Sequence, residues 1–118
     1  MSWHRVSVEK SRHRQLLSDP EVRRWYDNVA RGSIITADVY LRRLGLFCEN
    51  NSTTPKILAE MDETSLTALT LDNVTTLEAE NHAGSYIESI VKALKSWLQH
   101  NNKQLKGKVR ITDAGDTP

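Results

Sequence analysis

Lysines and hydrogen-bonding side chains recur at helical spacing near the C-terminal end of the sequence. Lys92, Lys95, Ser96 and Gln99 lie three, four or seven residues apart, so on a helix they share one side, and Lys103 follows beyond the helix end. Ammonium groups neutralise phosphate charge, while hydroxyl and amide groups hydrogen-bond to phosphate oxygens. The chemistry that these residue types predict is therefore the binding of a polyanion.

A second stretch, earlier in the chain, carries the same residue types. Ser33 and Thr36 begin a predicted helix, and Arg42 and Arg43 follow on its polar face. The N–H groups at the helix starts Ser33 and Ser85 suit phosphate oxygens, because a helix N-terminus attracts anions, and arginine can read guanine edges in the major groove. The predicted nucleic-acid contacts are Ser33, Thr36, Arg42, Arg43, Ser85, Lys92, Lys95, Ser96, Gln99 and Lys103. The alternative is that these side chains only keep two helix faces hydrated.

The formal charge is segregated along the chain, although the net charge is only +1. Residues 1–50 hold nine Lys and Arg against six Asp and Glu, residues 51–90 hold one against seven, and residues 91–118 hold six against two. A polyanion would need the two basic segments brought together in space. The alternative function is a helical protein–protein interaction domain without DNA binding, with the acidic helix over residues 60–80 as its docking face.

No residue pattern typical of catalysis, metal binding or cofactor binding occurs in the sequence. The histidines have no Cys or acid at metal-ligand spacing, so we expect surface side chains at His4, His13, His82 and His100. The glycines are too far apart for a phosphate-binding loop, and neither Cys48 nor Ser85 has a base beside it in a nucleophile motif. We therefore predict no enzyme activity, no cofactor, no metal and no small-molecule substrate, and a buried position for Cys48.

Five segments with a helical apolar period must position the polar faces. The first is predicted to begin after an N-cap at Asp19, with Pro20 in first position, and to end at a left-handed Gly32. The second begins at Ser33 and ends near Asn50. Their core-facing residues are Val22, Trp25, Tyr26 and Val29, and then Ala37, Tyr40, Leu41, Leu44, Phe47 and Cys48.

Three more helices complete the predicted all-α fold. A short one follows the cap Thr54, a longer one runs from Glu63 to about Asn81 after the cap Asp62, and the last begins at the cap Ser85. The longer one contains many Thr residues, which are mediocre helix formers. The inward-facing residues are Ile57, Leu58 and Met61, then Leu66, Leu69, Val74 and Leu77, and then Ile87, Ile90, Val91, Leu94, Trp97 and Leu98.

The two ends of the chain differ in composition from the helical part. We predict a basic N-terminal arm over residues 1–18, a helical domain over 19–105 and an extended linker over 106–118. Val109 and Ile111 alternate with charged residues there, and nothing that follows could pair with them or cover them. No apolar run could span a membrane and the N-terminus lacks a signal peptide. The lone cysteine excludes an internal disulfide, so we expect a cytoplasmic location.

The order and spacing of these motifs resemble a known family. The residues that carry the resemblance are Ser33, Thr36, Tyr40, Leu44 and Phe47, then Thr54 and Pro55, and then Gly84, Ser85, Ile87, Val91, Ala93, Leu94, Lys95, Ser96, Trp97, Leu98 and Asn101. Over roughly residues 19–112 the chain resembles the N-terminal core-binding domain of tyrosine recombinases, the phage-integrase family. The run Lys108-Val109-Arg110-Ile111 resembles the junction that leads to the catalytic domain in archaeal-type members.

The resemblance implies a SAM-like orthogonal bundle of four or five helices with a short extended C-terminal segment. In the family this bundle clamps one side of duplex DNA, while a separate catalytic domain clamps the other. The helices that match the second and the last predicted helix lie against the major groove and the phosphate backbone. The family's contacts carry over first to Thr36, Arg43, Lys92 and Lys95, and then to Ser33, Tyr40 and Ser85.

The family's catalytic residues lie in its other domain: an arginine, a His-x-x-Arg pair and a tyrosine nucleophile. No His-x-x-Arg occurs in this sequence, because the residues three positions after the histidines are Ser7, Leu16, Ser85 and Lys103. The expected function is that of a core-binding domain which grips duplex DNA for a site-specific recombinase, as a piece of a longer protein. The expected partners are duplex DNA, the C-terminal catalytic domain and other recombinase protomers, with no membrane.

Overall fold

Residues 13–112 of the 118-residue chain are described by the structure, which is a computed structural model. A 3₁₀ turn, Gln15–Ser18, precedes five α-helices within this part of the chain. The helices are α1 (Pro20–Gly32), α2 (Ile34–Asn50), α3 (Pro55–Glu60), α4 (Glu63–Ala79) and α5 (Gly84–His100). The described residues form no strand, so the predicted all-α fold, a bundle of four to five helices, is confirmed.

Four of the five helices begin at a side-chain cap that the sequence predicts. The side chains of Asp19, Ser33, Thr54 and Asp62 each accept a hydrogen bond from a backbone N–H two or three residues ahead. The prediction for the last helix is wrong, because α5 has Ala83 as its N-cap, without a side-chain bond. Ser85 is the second residue of α5.

The predicted left-handed end of α1 is also wrong. Gly32 stays inside the helix and does not adopt a positive φ. The next residue, Ser33, is extended at φ −165° and serves both as the C-cap of α1 and as the N-cap of α2. One extended residue therefore makes the whole turn between the two helices, and no left-handed residue is needed.

The core lies between α2 and α5, which form the most extensive helix pair in the bundle. The predicted apolar stripes are buried there, including Leu44, Phe47, Ile87 and Leu94. Val29, Tyr40, Met61 and Leu69 are half-buried and pack against the same core. The inward position predicted for Ile57 in α3 is wrong, because this residue is 49% exposed. The short α3 buries Pro55 and Leu58, which lie three residues apart on one side of the helix, and leaves Ile57 on the other side.

The N-terminal residues 13–18 pack on the bundle. His13 is only 9% exposed, so the prediction of a surface histidine is wrong at this position. Its ring occupies the space over Gly45 of α2, where a Cβ would lie 2.3 Å from Nδ1. Leu16 and Leu17 also pack against the core. Most of the predicted arm, residues 1–12 with His4, lies outside the described residues.

The C-terminal segment, residues 103–112, lies against α4. Leu105, Val109 and Ile111 are half-buried and pack against the core, so Val109 and Ile111 are covered by elements that precede them in the chain, which sequence analysis did not consider. Residues 113–118 of the predicted linker lie outside the described part. Three backbone amides of the segment donate to α4 side chains: Gln104 N to Glu63 Oε2 at 2.9 Å, Lys106 N to Thr67 Oγ1 at 2.7 Å, and Thr112 N to Glu78 Oε2 at 2.7 Å.

No helix among residues 13–112 is both long enough and apolar enough to cross a membrane.

The contact between His13 and Gly45 generates a stability prediction. Gly45→Ala should lower the free energy of unfolding by about 1–2 kcal/mol, because the new methyl group displaces the buried imidazole. Gly32→Ala is the matched control, since a Cβ there meets nothing within 4 Å. It should raise the free energy of unfolding by about 0.4–1 kcal/mol. Urea unfolding of the two variants measures both values, and a stabilised Gly45→Ala protein would contradict the assigned contact.

Candidate nucleic-acid interface

The outer face of α5 carries four of the ten predicted contacts. Ser85, Lys92, Lys95 and Gln99 are exposed. Their spacing of three, four or seven residues places them on one side of the helix, opposite the buried stripe. Lys92 Nζ lies 3.9 Å from Glu88 on the same helix, and both side chains are well exposed. An exposed pair of this kind contributes only about 0.2–0.5 kcal/mol, so a phosphate can compete for the lysine.

Ser96 and Lys103 have their polar groups engaged inside the protein. Ser96 is half-buried, and its Oγ accepts a hydrogen bond from Trp25 Nε1 at 3.0 Å. Lys103 Nζ donates to the backbone oxygen of Met61, just before α4. The structure therefore gives both side chains an internal role, joining α1 to α5 and the C-terminal segment to the start of α4.

Arg43 extends the face of α5 onto α2. Its Nε donates to Ser89 Oγ at 2.8 Å, and its guanidinium lies over the Tyr86 ring, 4.9 Å from the ring centroid. Neither Nη group bonds to any described residue. Thr36 lies seven residues before Arg43, on the same side of α2. The basic segments that the sequence separates thus meet where α2 crosses α5.

Arg42 faces a different direction. Consecutive helical residues are rotated by about 100°, so Arg42 turns away from α5 when Arg43 turns towards it. Its neighbours on the outer side of α2 are Ile35, which is 74% exposed, and the half-buried Val39 and Leu46. The structure does not bring Arg42 together with the α5 lysines.

The two predicted helix starts offer an anion similar groups. Ser33 Oγ accepts from the Thr36 N–H at 3.1 Å, and at α5 the Tyr86 N–H donates to the Ala83 oxygen at 3.0 Å. At both starts the first two amides have no partner among the described residues and can face a phosphate oxygen.

Sequence analysis missed the cations of the C-terminal segment. Lys106, Lys108 and Arg110 are exposed and alternate with inward-facing apolar residues. The alternation is visible in the sequence, but the acceptors that hold the segment come from α4 and follow no motif. Sequence patterns alone therefore place Lys106, Lys108 and Arg110 in a linker.

An open groove of about 540 Å³ separates α5 from this segment. Lys95 and Gln99 line one side, and Lys103, Leu105 and Gly107 line the other. Glu63 contributes a carboxylate, which is already an acceptor for the Gln104 amide.

Nearby positive charge also affects an acid at the start of α4. The pKa of Asp62 is lowered, first by the hydrogen bond from the Ser65 amide and then by the Ser65 hydroxyl. The charges of Lys106 and Lys103 add to this effect. The segment therefore lies close enough to α4 for its lysines to act on Asp62.

Residues 13–112 contain no group of three His, Cys, Asp or Glu that could hold a metal ion. His82 stacks on Tyr86, and His100 stacks on Trp97 and contacts Glu21. Both rings thus pack against aromatic neighbours within or beside α5.

Cys48 is buried, as predicted. Burial raises the pKa of its thiol to about 12, and the nearby Glu49 carboxylate acts in the same direction. A thiol rather than a thiolate is thus present at neutral pH, and a thiol is a poor nucleophile.

Comparisons of the chain with models of protein families, with curated proteins and with solved structures found no match in any of the three.

The raised pKa of Cys48 generates a reactivity prediction. In native protein the thiol should react with a disulfide reagent far more slowly than a free cysteine, and the rate should rise with pH up to about 12, where the thiolate forms. Unfolding in guanidinium chloride should restore the ordinary rate. Fast native labelling at neutral pH would show that the thiol is accessible and its pKa ordinary.

Proposed function

We propose that this chain binds duplex DNA through the outer face of α5 and the adjoining side of α2. The observation that carries the proposal is the Arg43–Ser89 hydrogen bond of 2.8 Å, which places an arginine of α2 beside the lysines of α5. A polyanion site needs the two basic parts of the chain on one surface, and this contact supports that arrangement.

The pairing of charges supports the same surface. Two of the three arginines of α1 have carboxylate partners, since Arg23 pairs with Asp27 and Arg24 with Glu21, whereas Arg31 bonds to Asn28. Lys95 of α5, in contrast, makes no ion pair with any described residue. A cation without a carboxylate partner can neutralise a phosphate without first breaking an internal contact.

We further propose that the DNA-binding unit is the core-binding domain of a tyrosine recombinase. Support comes from the order of motifs that carries the resemblance and from a five-helix bundle in which the second and last helices pack together. In this proposal strand exchange is performed by a catalytic domain elsewhere in a longer protein. The partners are then duplex DNA, that domain and other recombinase protomers.

The alternative, a protein-interaction domain that docks through the acidic α4, loses part of its surface in the structure. Glu63 and Glu78 accept hydrogen bonds from the C-terminal segment, so two acids of α4 are already engaged. DNA binding is therefore the function that the geometry supports best.

The lysines of α5 generate the test. Lys92→Ala combined with Lys95→Ala should flatten the dependence of log K on log salt by about two units, because each lost phosphate contact removes about one. Fluorescence anisotropy of a labelled duplex over a series of salt concentrations measures the slope.

The matched control removes two positive charges from α1 and α3, outside the assigned face. Arg24→Ala with Lys56→Ala makes the same change in net charge beside the cavity between α1 and α3, which Glu21 and Lys56 line. It should leave the salt slope within about half a unit of the original chain. Equal slopes for the two double variants would overturn the assigned face.

A further inference from the structure

We propose that the C-terminal segment, residues 103–112, forms part of the DNA-binding surface and is not a linker that leads away from it. The inference rests on the proposed function and names which residues complete the surface. The segment runs beside α5 in the reverse direction. Leu105 and Gly107 share a groove with Lys95 near one end of the helix, and Thr112 shares another with Gly84 at the opposite end.

The segment is held by its backbone, which leaves its charged side chains for another partner. The carboxylates of Glu63 and Glu78 and the hydroxyl of Thr67 accept the three amide hydrogen bonds from the segment. Inward-facing Leu105, Val109 and Ile111 add apolar contact.

Three of the four cations of the segment point outward, whereas the fourth, Lys103, donates to the backbone oxygen of Met61. Lys106, Lys108 and Arg110 are exposed, and none of them forms an ion pair or a side-chain hydrogen bond with any residue in 13–112. The carboxylates of α4 near these cations accept hydrogen bonds from backbone amides of the segment, at Glu63 and Glu78. The Asp62 carboxylate accepts hydrogen bonds from the amide and the hydroxyl of Ser65. Three cations without a salt-bridge partner among residues 13–112 thus lie on a segment whose Lys103, Leu105 and Gly107 share a groove with Lys95.

Order in the segment lowers the cost of binding. A basic chain that is free in solution must lose backbone and side-chain freedom when it meets a polyanion. Here three amide bonds and three apolar contacts have already fixed the backbone. The cations therefore contribute charge at defined positions on the α5 face.

A duplex fits this surface better than a membrane does. The large apolar side chains that the described part exposes are Ile34, Ile35, Ile57 and Leu71, and none belongs to α5 or to the segment. Membrane-surface binding combines cations with an apolar face that enters the lipid, and this surface lacks one. The repeating phosphates of DNA require only the cations and hydrogen-bond donors.

The first experiment removes the charges of the segment from the full 118-residue chain. Lys106→Ala, Lys108→Ala and Arg110→Ala together should flatten the salt slope of duplex binding by about three units, with unchanged thermal unfolding. The control triple Arg23→Ala, Arg24→Ala and Lys56→Ala makes the same change in net charge and should leave the slope near its original value.

The second experiment loosens the docking and keeps every cation. Thr67→Val removes the acceptor of the Lys106 amide and should speed hydrogen exchange at that amide about tenfold, with a lower duplex affinity. Thr75→Val is the matched control, because its Oγ1 also bonds to the carbonyl four residues back but holds no amide of the segment.

The outcomes separate this inference from the proposed function. If the α5 lysine variants lose salt dependence and the segment triple does not, DNA binding stands and the role of the segment is wrong. If the original chain binds no duplex at low salt, both are wrong. Binding to vesicles of phosphatidylcholine and phosphatidylserine without duplex binding would also overturn both and assign the surface to a membrane.

Discussion

The packing of α2 against α5 is the constraint on which the rest of the structure depends. These two 17-residue helices form the largest contact in the bundle, and the other three α-helices each pack on α5 or on α2. Trp97 of α5 is fully buried and connects α5 to two other helices. Its Nε1 donates to the Pro55 oxygen of α3 at 2.9 Å, and its ring contacts the Trp25 ring of α1 edge to face. A buried indole N–H without that acceptor would cost about 1–3 kcal/mol.

The same pairing creates the candidate surface. Each helix buries one stripe against the other, so the opposite sides must face water and carry the polar residues. Because α2 crosses α5 near Tyr86 and Ser89, Arg43 reaches the outer face of α5 although it is far from that helix in sequence. The net charge of +1 hides this arrangement, because residues 51–90 hold seven acids against one lysine and two arginines of α1 pair with acids of their own helix.

Sequence patterns predicted the regular part of the fold well. Helical periodicity and side-chain caps depend on neighbouring residues, so the apolar stripes and the caps Asp19, Ser33, Thr54 and Asp62 could be read directly. Two local predictions failed, the left-handed end at Gly32 and the cap at Ser85, and others failed where a distant residue decides the outcome. His13 is buried because Gly45 of α2 leaves room for its ring, and no local pattern in the N-terminal residues indicates that.

The candidate site shows the same limit. Adjacent arginines look equivalent in the sequence, yet only Arg43 reaches α5, since which of the two does so depends on where the helices cross. The C-terminal segment looks like a linker because its anchors, Glu63, Thr67 and Glu78, belong to another element. Spacing predicts which residues share a helix face, but tertiary contacts decide which faces are joined.

The most direct test of the central claim is a map of duplex binding at single residues. A short DNA duplex is titrated into isotope-labelled protein at low salt, and the backbone amide shifts are followed by NMR. The account predicts that the shifts concentrate on the outer side of α5, on Arg43 and on residues 103–112, while α1 and the outer side of α2 around Ile35 and Arg42 stay unchanged. Shifts centred on α1 or on the apolar side of α2, or no shifts at all, would contradict it.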